Sequence, residues 1–106
     1  MHIFGIGTDI VNIKRMKKSL NRNGNSFKKR IFSKNEITYC ERKKNPSTFY
    51  AKRFAAKEAF SKSLGTGIAK GLNFKEIIIK NDNLGKPNLN ITGKSLITVK
   101  KILKRD

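Results

Sequence analysis

The segment from Ser47 to Leu64 reads as a helix without a polar face, and this restricts the fold more than any other stretch of the chain. Ala51, Phe54, Ala55, Ala56, Ala59, Phe60 and Leu64 fall all around its axis, and Gly65 supplies the residue type that tolerates a left-handed helix stop. Its charges, Arg53, Lys57, Glu58 and Lys62, therefore have no cleanly separate solvent side, and some of them must be partly enclosed. Residues four apart differ by about 40° around a helix, so Glu58 and Lys62 share one side while Arg53 and Lys57 share another. Taken alone, that spacing is the spacing of an ordinary surface pair worth a few tenths of a kcal/mol.

The remaining elements can be read in chain order. Ile3 to Thr8 has the character of a short buried strand, opened by Gly5 and Gly7 to a close neighbour. Ile10, Ile13, Met16 and Leu20 then recur at three- and four-residue steps with Lys14, Arg15, Lys17 and Lys18 between them, which is a basic amphipathic helix ended by Asn23-Gly24. Ser33 and Glu36 form an S-x-x-E capping box at the start of a second helix over Lys34–Lys43, and Pro46 separates it from the third. Phe74–Lys80 alternates as a strand, Asn81–Lys86 is a turn, Pro87–Ile91 is the return strand, and Lys94–Lys104 is a last helix. The order is strand, three helices, hairpin and helix, an α+β domain with a small antiparallel sheet packed with helices. No linker or repeat divides it, so residues 1–106 read as one domain.

Composition removes several classes of function. Cys40 and His2 are the only residues of their kinds, which leaves no disulfide framework, no cysteine-based zinc cluster and no support for Ser-His or Cys-His nucleophiles. No stretch of about 18 apolar residues occurs and no basic run precedes an apolar one at the N-terminus, so a soluble, cytoplasmic protein with no membrane contact is expected. The formal net charge of +18, from 25 Lys and Arg against 7 Asp and Glu, suggests an anionic partner, but lysine-rich solvated faces explain most of it equally well, so charge alone does not decide function.

Three places can carry chemistry. GIGTDIV lacks the third glycine of a dinucleotide fingerprint, because Ile10 stands there; what remains is Asp9 at the end of a glycine-bearing strand, as a helix cap or as a ligand. Gly65-Thr66-Gly67 can bring backbone amides against a phosphate and is also a plain helix stop. The charged positions of the third helix complete the set.

Taken together and in this order, GIGTDIVNIKR (5–15), RIFSKNE (30–36), KRFAAKEAFSKSLGTGI (52–68) and NDNLGKPNLNI (81–91) resemble the holo-[acyl-carrier-protein] synthases of the 4'-phosphopantetheinyl transferase family. The third block is the most specific. The resemblance implies a Mg²⁺-dependent transferase that moves 4'-phosphopantetheine from coenzyme A to a serine of acyl carrier protein, in fatty acid biosynthesis, with Asp9 and Glu58 as metal ligands. Mg²⁺ commonly takes only one or two protein carboxylates, with waters and substrate oxygens completing its shell. In that reading Lys62 makes a further positive contact on the coenzyme A diphosphate, Arg53, Lys57 and Gly65 contact the rest of coenzyme A, and Glu58 or a water on the metal takes the serine proton. Lys14, Arg15 and Lys18 would seat the small acidic carrier protein through opposite charge, and a homotrimer with sites at subunit boundaries is implied.

The resemblance also carries a departure. Family members usually continue past the last helix into two strands that help to bind the nucleotide end of coenzyme A, whereas this sequence ends at Lys104-Arg105-Asp106. A noncatalytic truncated remnant of the family is accordingly one alternative. A basic nucleic-acid-binding protein is another, disfavoured by the lack of an RNA-binding aromatic motif or zinc finger.

Overall fold

The computed structural model describes residues 9–64 and 71–104, with side chains from Ile13 onward. The strand expected over Ile3–Thr8 and the Gly65-Thr66-Gly67 turn lie outside the described residues. Four helices and a hairpin follow in the order α1 (Asp9–Ile31), α2 (Lys34–Glu41), α3 (Pro46–Ser63), a 3₁₀ turn (Phe74–Glu76), β1 (Ile77–Asn81), β2 (Pro87–Ile91) and α4 (Gly93–Leu103).

The first helix is longer than its sequence pattern. Gly24 breaks it with φ 53° and ψ −130°, where the Asn23-Gly24 stop was expected, but a second helical section then runs to Ile31. That section forms because Phe27 and Ile31, four residues apart, both pack on the core beside Met16 and Phe32. In the first section Ile13, Met16 and Leu20 face the core, and Lys14, Arg15, Lys17 and Lys18 are exposed. The capping box is present in full at α2: the Glu36 amide donates to Ser33 Oγ at 3.3 Å and the Ser33 amide donates to Glu36 Oε1 at 2.9 Å. Pro46 occupies the first turn of α3, where its missing N–H costs no hydrogen bond.

Two apolar clusters flank α3. Met16, Phe32, Cys40, Tyr50 and Ala51 form one, and Phe60, Leu72, Phe74, Ile77 and Val99 form the other, with Ile31 and Phe54 touching both. α3 thus packs against both clusters, with Arg53 and Lys57 enclosed as expected of some of its charges and Lys52, Ala59 and Lys62 on an exposed strip. Burial pushes the Cys40 thiol up to about 11, so it is a protonated part of the core. The hairpin pairs Ile77 with Ile91, Ile79 with Leu89 and Asn81 with Pro87, which turns Ile77 and Ile79 inward.

The hairpin and α4 are joined by a carboxylate. Thr92 makes no side-chain cap at the start of α4. Glu76 does so instead, accepting from the Lys94 amide at 3.2 Å and from both the amide and hydroxyl of Ser95 at 3.1 and 2.8 Å. Gly93 has φ 59°, and a Cβ there would run into the Glu76 carboxylate. Gly93→Ala is expected to lose roughly 2–3 kcal/mol in urea denaturation, by combining left-handed strain with loss of the cap. The hydrogen bonds from Ser95 hold the Glu76 carboxyl below its ordinary value of 4.5. A carboxyl depressed by folding adds stability that is fully present above its unfolded pKa and is lost as pH falls through the folded one. Stability should therefore decline on acidification below about pH 4.5, and Glu76→Gln should flatten that part of the melting-temperature profile.

Candidate functional site

Which way each charge of α3 points follows from its place around the helix. Ala51, Phe54 and Glu58 are spaced i, i+3, i+7 and form one strip. That strip faces α1, and with Arg15, Met16, Ser19 and Phe27 it lines a cleft of about 210 Å³. The floor is apolar, and the rim carries one carboxylate and one guanidinium. Among the described residues no hydrogen bond or ion pair engages the Glu58 carboxylate, which is part of the cleft lining. A shallower groove of about 280 Å³ continues along α1, lined by Arg15, Lys18, Ser19, Arg22 and Asn23. Arg15 borders both. Lys62 is exposed one turn beyond Glu58, near the end of α3.

Arg53 and Lys57 lie on a different side, and there the expectation is corrected. Lys57 was expected at a coenzyme A phosphate, but its side chain is 0% exposed. Its ammonium donates to Glu36 Oε1 at 2.6 Å, to the Phe74 carbonyl at 2.7 Å and to the Ile31 carbonyl at 3.1 Å. Three N–H groups meet three acceptors, so none remains for a phosphate. Burial pulls the ammonium below its ordinary value, and the adjacent Glu36 carboxylate opposes that pull. Arg53, 5% exposed, is also turned to protein, though less completely: its guanidinium lies 4.1 Å from the Tyr39 ring centre and donates to Asn81 Oδ1 at 3.3 Å, while its Nε–H has no partner among the described residues. In this conformation it is not presented to a phosphate.

Glu36 is the residue whose weight the sequence pattern understated. Besides capping α2 and pairing with Lys57, it accepts from the Ile79 amide at 3.0 Å through Oε2, and it is 1% exposed. One signal for it was available. The chain holds only seven acidic residues, and any lysine that such a helix encloses requires a carboxylate from among them.

Of the other expected site residues, Lys14 and Lys18 are exposed on α1. Asp9 is the first residue of α1, but its side chain, like Gly65, lies outside the described residues. Among the described residues no group of three or more His, Cys, Asp or Glu side chains converges. The arrangement thus offers one hard carboxylate donor over an apolar floor, beside a basic helix face.

Comparison with known proteins gives this arrangement a context. A family model for the 4'-phosphopantetheinyl transferase superfamily matches residues 5–103. The holo-[acyl-carrier-protein] synthase of Pelagibacter ubique (strain HTCC1062) is 52% identical over 105 residues, covering 99% of this chain and 77% of that protein. Among solved structures, holo-[acyl-carrier-protein] synthase from Neisseria meningitidis superposes with a TM-score of 0.76 at 35% identity, over 84% of this chain and 71% of that one. The holo-(acyl-carrier-protein) synthase from Bacillus anthracis str. Ames, solved in complex with CoA (3',5'-ADP), gives a TM-score of 0.63 at 36% identity over 76% and 69% of the two chains.

Proposed function

Because the chain belongs to the 4'-phosphopantetheinyl transferase superfamily, we propose that it transfers 4'-phosphopantetheine from coenzyme A to a serine of acyl carrier protein, converting the apo carrier to the holo form. The observation that supports this most is the Glu58 cleft, which lies within the matched residues and puts a carboxylate without a described partner beside the basic face of α1.

Chemically, the serine oxygen attacks the phosphorus that bears the pantetheine, a new phosphodiester bond forms, and the anhydride bond to the nucleotide breaks, releasing 3',5'-ADP. The serine proton must leave as that bond forms. Glu58 is the proposed acceptor, taking it on a carboxylate oxygen, within reach of a hydroxyl held in the cleft. Lys62, one turn further along α3, is proposed to offset the charge gathering on the departing phosphate.

The chemistry of the donor set fits Mg²⁺: Glu58 contributes hard oxygens that no described group occupies, and Asp9 is proposed as the second carboxylate. Two such ligands suffice for this ion, which fills its remaining positions with water and phosphate oxygens. When bound, Mg²⁺ would neutralise the diphosphate and so lower the repulsion met by the incoming oxygen.

Carrier docking is assigned to Lys14, Arg15 and Lys18 on the exposed face of α1, opposite in charge to an acidic partner. Lys14→Glu combined with Lys18→Glu is expected to weaken carrier binding roughly 10-fold or more at low salt while coenzyme A binding stays nearly unchanged. Calorimetric titration of each ligand checks this, and an equal loss of coenzyme A affinity would count against the docking role. A homotrimer, a cytoplasmic location and a place in fatty acid biosynthesis complete the proposal. Among the described residues no helix is long and apolar enough to cross a membrane.

The deciding experiment is mass spectrometry of apo carrier protein incubated with this chain, coenzyme A and Mg²⁺. Appearance of the carrier mass increased by one phosphopantetheine supports the proposal. An unchanged carrier mass, under conditions where a known synthase modifies it fully, rejects it.

A further inference from the structure

The Glu58 cleft has two walls, and both are tied to a buried ion pair that does not line the cleft itself. Lys57 precedes Glu58 along α3 and points about 100° away around the axis, into the junction where α2, the 3₁₀ turn and β1 meet. There its ammonium holds Glu36, Phe74 and Ile31, while Glu36 also holds the amides of Ser33 and Ile79. Ile31 ends the section of α1 that contributes Phe27 to one wall. Lys57 lies on the helix that contributes Ala51, Phe54 and Glu58 to the other.

The need for such a node follows from the character of α3. An amphipathic helix is held in rotation by its own pattern, because turning it would expose apolar residues and bury polar ones. In α3 apolar residues fall around most of the axis and a strip with Lys52, Ala59 and Lys62 is exposed, so packing resists a small rotation less than it does in a sharply two-faced helix. Directional hydrogen bonds from a buried charge select one rotation, since any other strands both the ammonium and the carboxylate without partners.

We propose that the Lys57–Glu36 pair is a positioning device for the transfer reaction: it fixes the rotation of α3 and thereby the place of the Glu58 carboxylate in the cleft. Its catalytic consequence rests on the transfer reading above. Lys57 and Glu36 are positioning residues, acting through Glu58 and touching no substrate.

The test removes both charges at once, so that no lone charge is buried. Lys57→Met/Glu36→Gln is first checked for folding by circular dichroism and thermal melting. In the folded double variant kcat is expected to fall about 10- to 100-fold while KM for coenzyme A changes less than about 2-fold, the pattern of a misplaced reacting group. The ¹³C resonance of the Glu58 carboxyl, identified by its absence in Glu58→Gln, is expected to move or broaden while the amide signals of α4 stay in place. A folded double variant with wild-type kcat and an unmoved Glu58 resonance overturns the proposal. If the neutral pair does not fold, Glu36→Asp keeps both charges and draws the carboxylate back by one methylene; the same loss of kcat and the same shift are expected, and their absence is equally fatal. The resonance requires no turnover. A wild-type chain that transfers nothing would refute the transfer reading, while the Glu58 signal would still decide whether the pair sets its position.

Discussion

Glu36→Ala is expected to lower the unfolding free energy by about 3–5 kcal/mol, a large share of the roughly 5–15 kcal/mol available to a typical domain. The reason is the number of groups left stranded. Truncation at Glu36 leaves the Lys57 ammonium with two carbonyls and no counter-charge, and it removes the acceptor of the Ser33 and Ile79 amides. The ammonium and the carboxylate themselves are 0% and 1% exposed, so water cannot replace the lost counter-charge. A melting curve at neutral pH should show a fall of roughly 20 °C. The second ion pair supplies the control. Lys28 and Glu41 are 2.8 Å apart, but their side chains are 20% and 44% exposed, so Lys28→Ala should cost less than about 1 kcal/mol. If the two substitutions cost the same, the account of the buried pair is wrong.

The other large effect is on turnover. Glu58→Gln and Asp9→Ala are each expected to reduce Mg²⁺-dependent transfer by about 10³-fold or more, since losing one ligand of a charge-neutralising ion removes several kcal/mol of transition-state stabilisation. Stability should hardly move in Glu58→Gln, within about 0.5 kcal/mol, because no described hydrogen bond depends on that carboxylate. Initial rates of carrier modification followed by mass spectrometry, beside a melting curve, separate the two quantities. Full turnover in both variants would reject the metal assignment. Full turnover in Asp9→Ala alone would leave Glu58 as a sole protein ligand and remove the second carboxylate from the mechanism.

These two predictions differ in kind because neighbouring residues of α3 do different work. Glu58 faces a cleft and is free to act on a ligand; Lys57 faces the core and acts on the protein. Helical geometry separates them by about 100°, which is enough to put one at a cleft and the other in a structural node. The spacing of Arg53, Lys57, Glu58 and Lys62 shows which charges share a side, but not which side meets a ligand. The resemblance makes Lys57 a candidate for a coenzyme A phosphate, whereas its anionic partner in the structure is the internal Glu36 carboxylate.

Much of the architecture was legible before any coordinates. A helix with apolar residues all around it had to enclose some of its charges; a serine three residues ahead of a glutamate had to start a helix; an Ile-rich alternating run, a turn and a return strand had to pair. The 3₁₀ turn at Phe74–Glu76 and the second section of α1 were not legible. The first replaces the start of a strand, with the Asn73 side chain accepting from the Lys75 amide. The second follows a glycine that by local rules ends a helix.

The sequence by itself determined the helical or extended character of most elements, because that depends on residues near one another in the chain, and the family, because four motif blocks occur in a fixed order. Only the tertiary structure decided that Glu36 partners Lys57 across 21 positions, that Glu76 caps α4, and that Glu58 rather than its neighbours opens on a cleft with Arg15. Those outcomes are set by which distant groups burial forces together, since a charge removed from water must find whatever partner the fold brings to it.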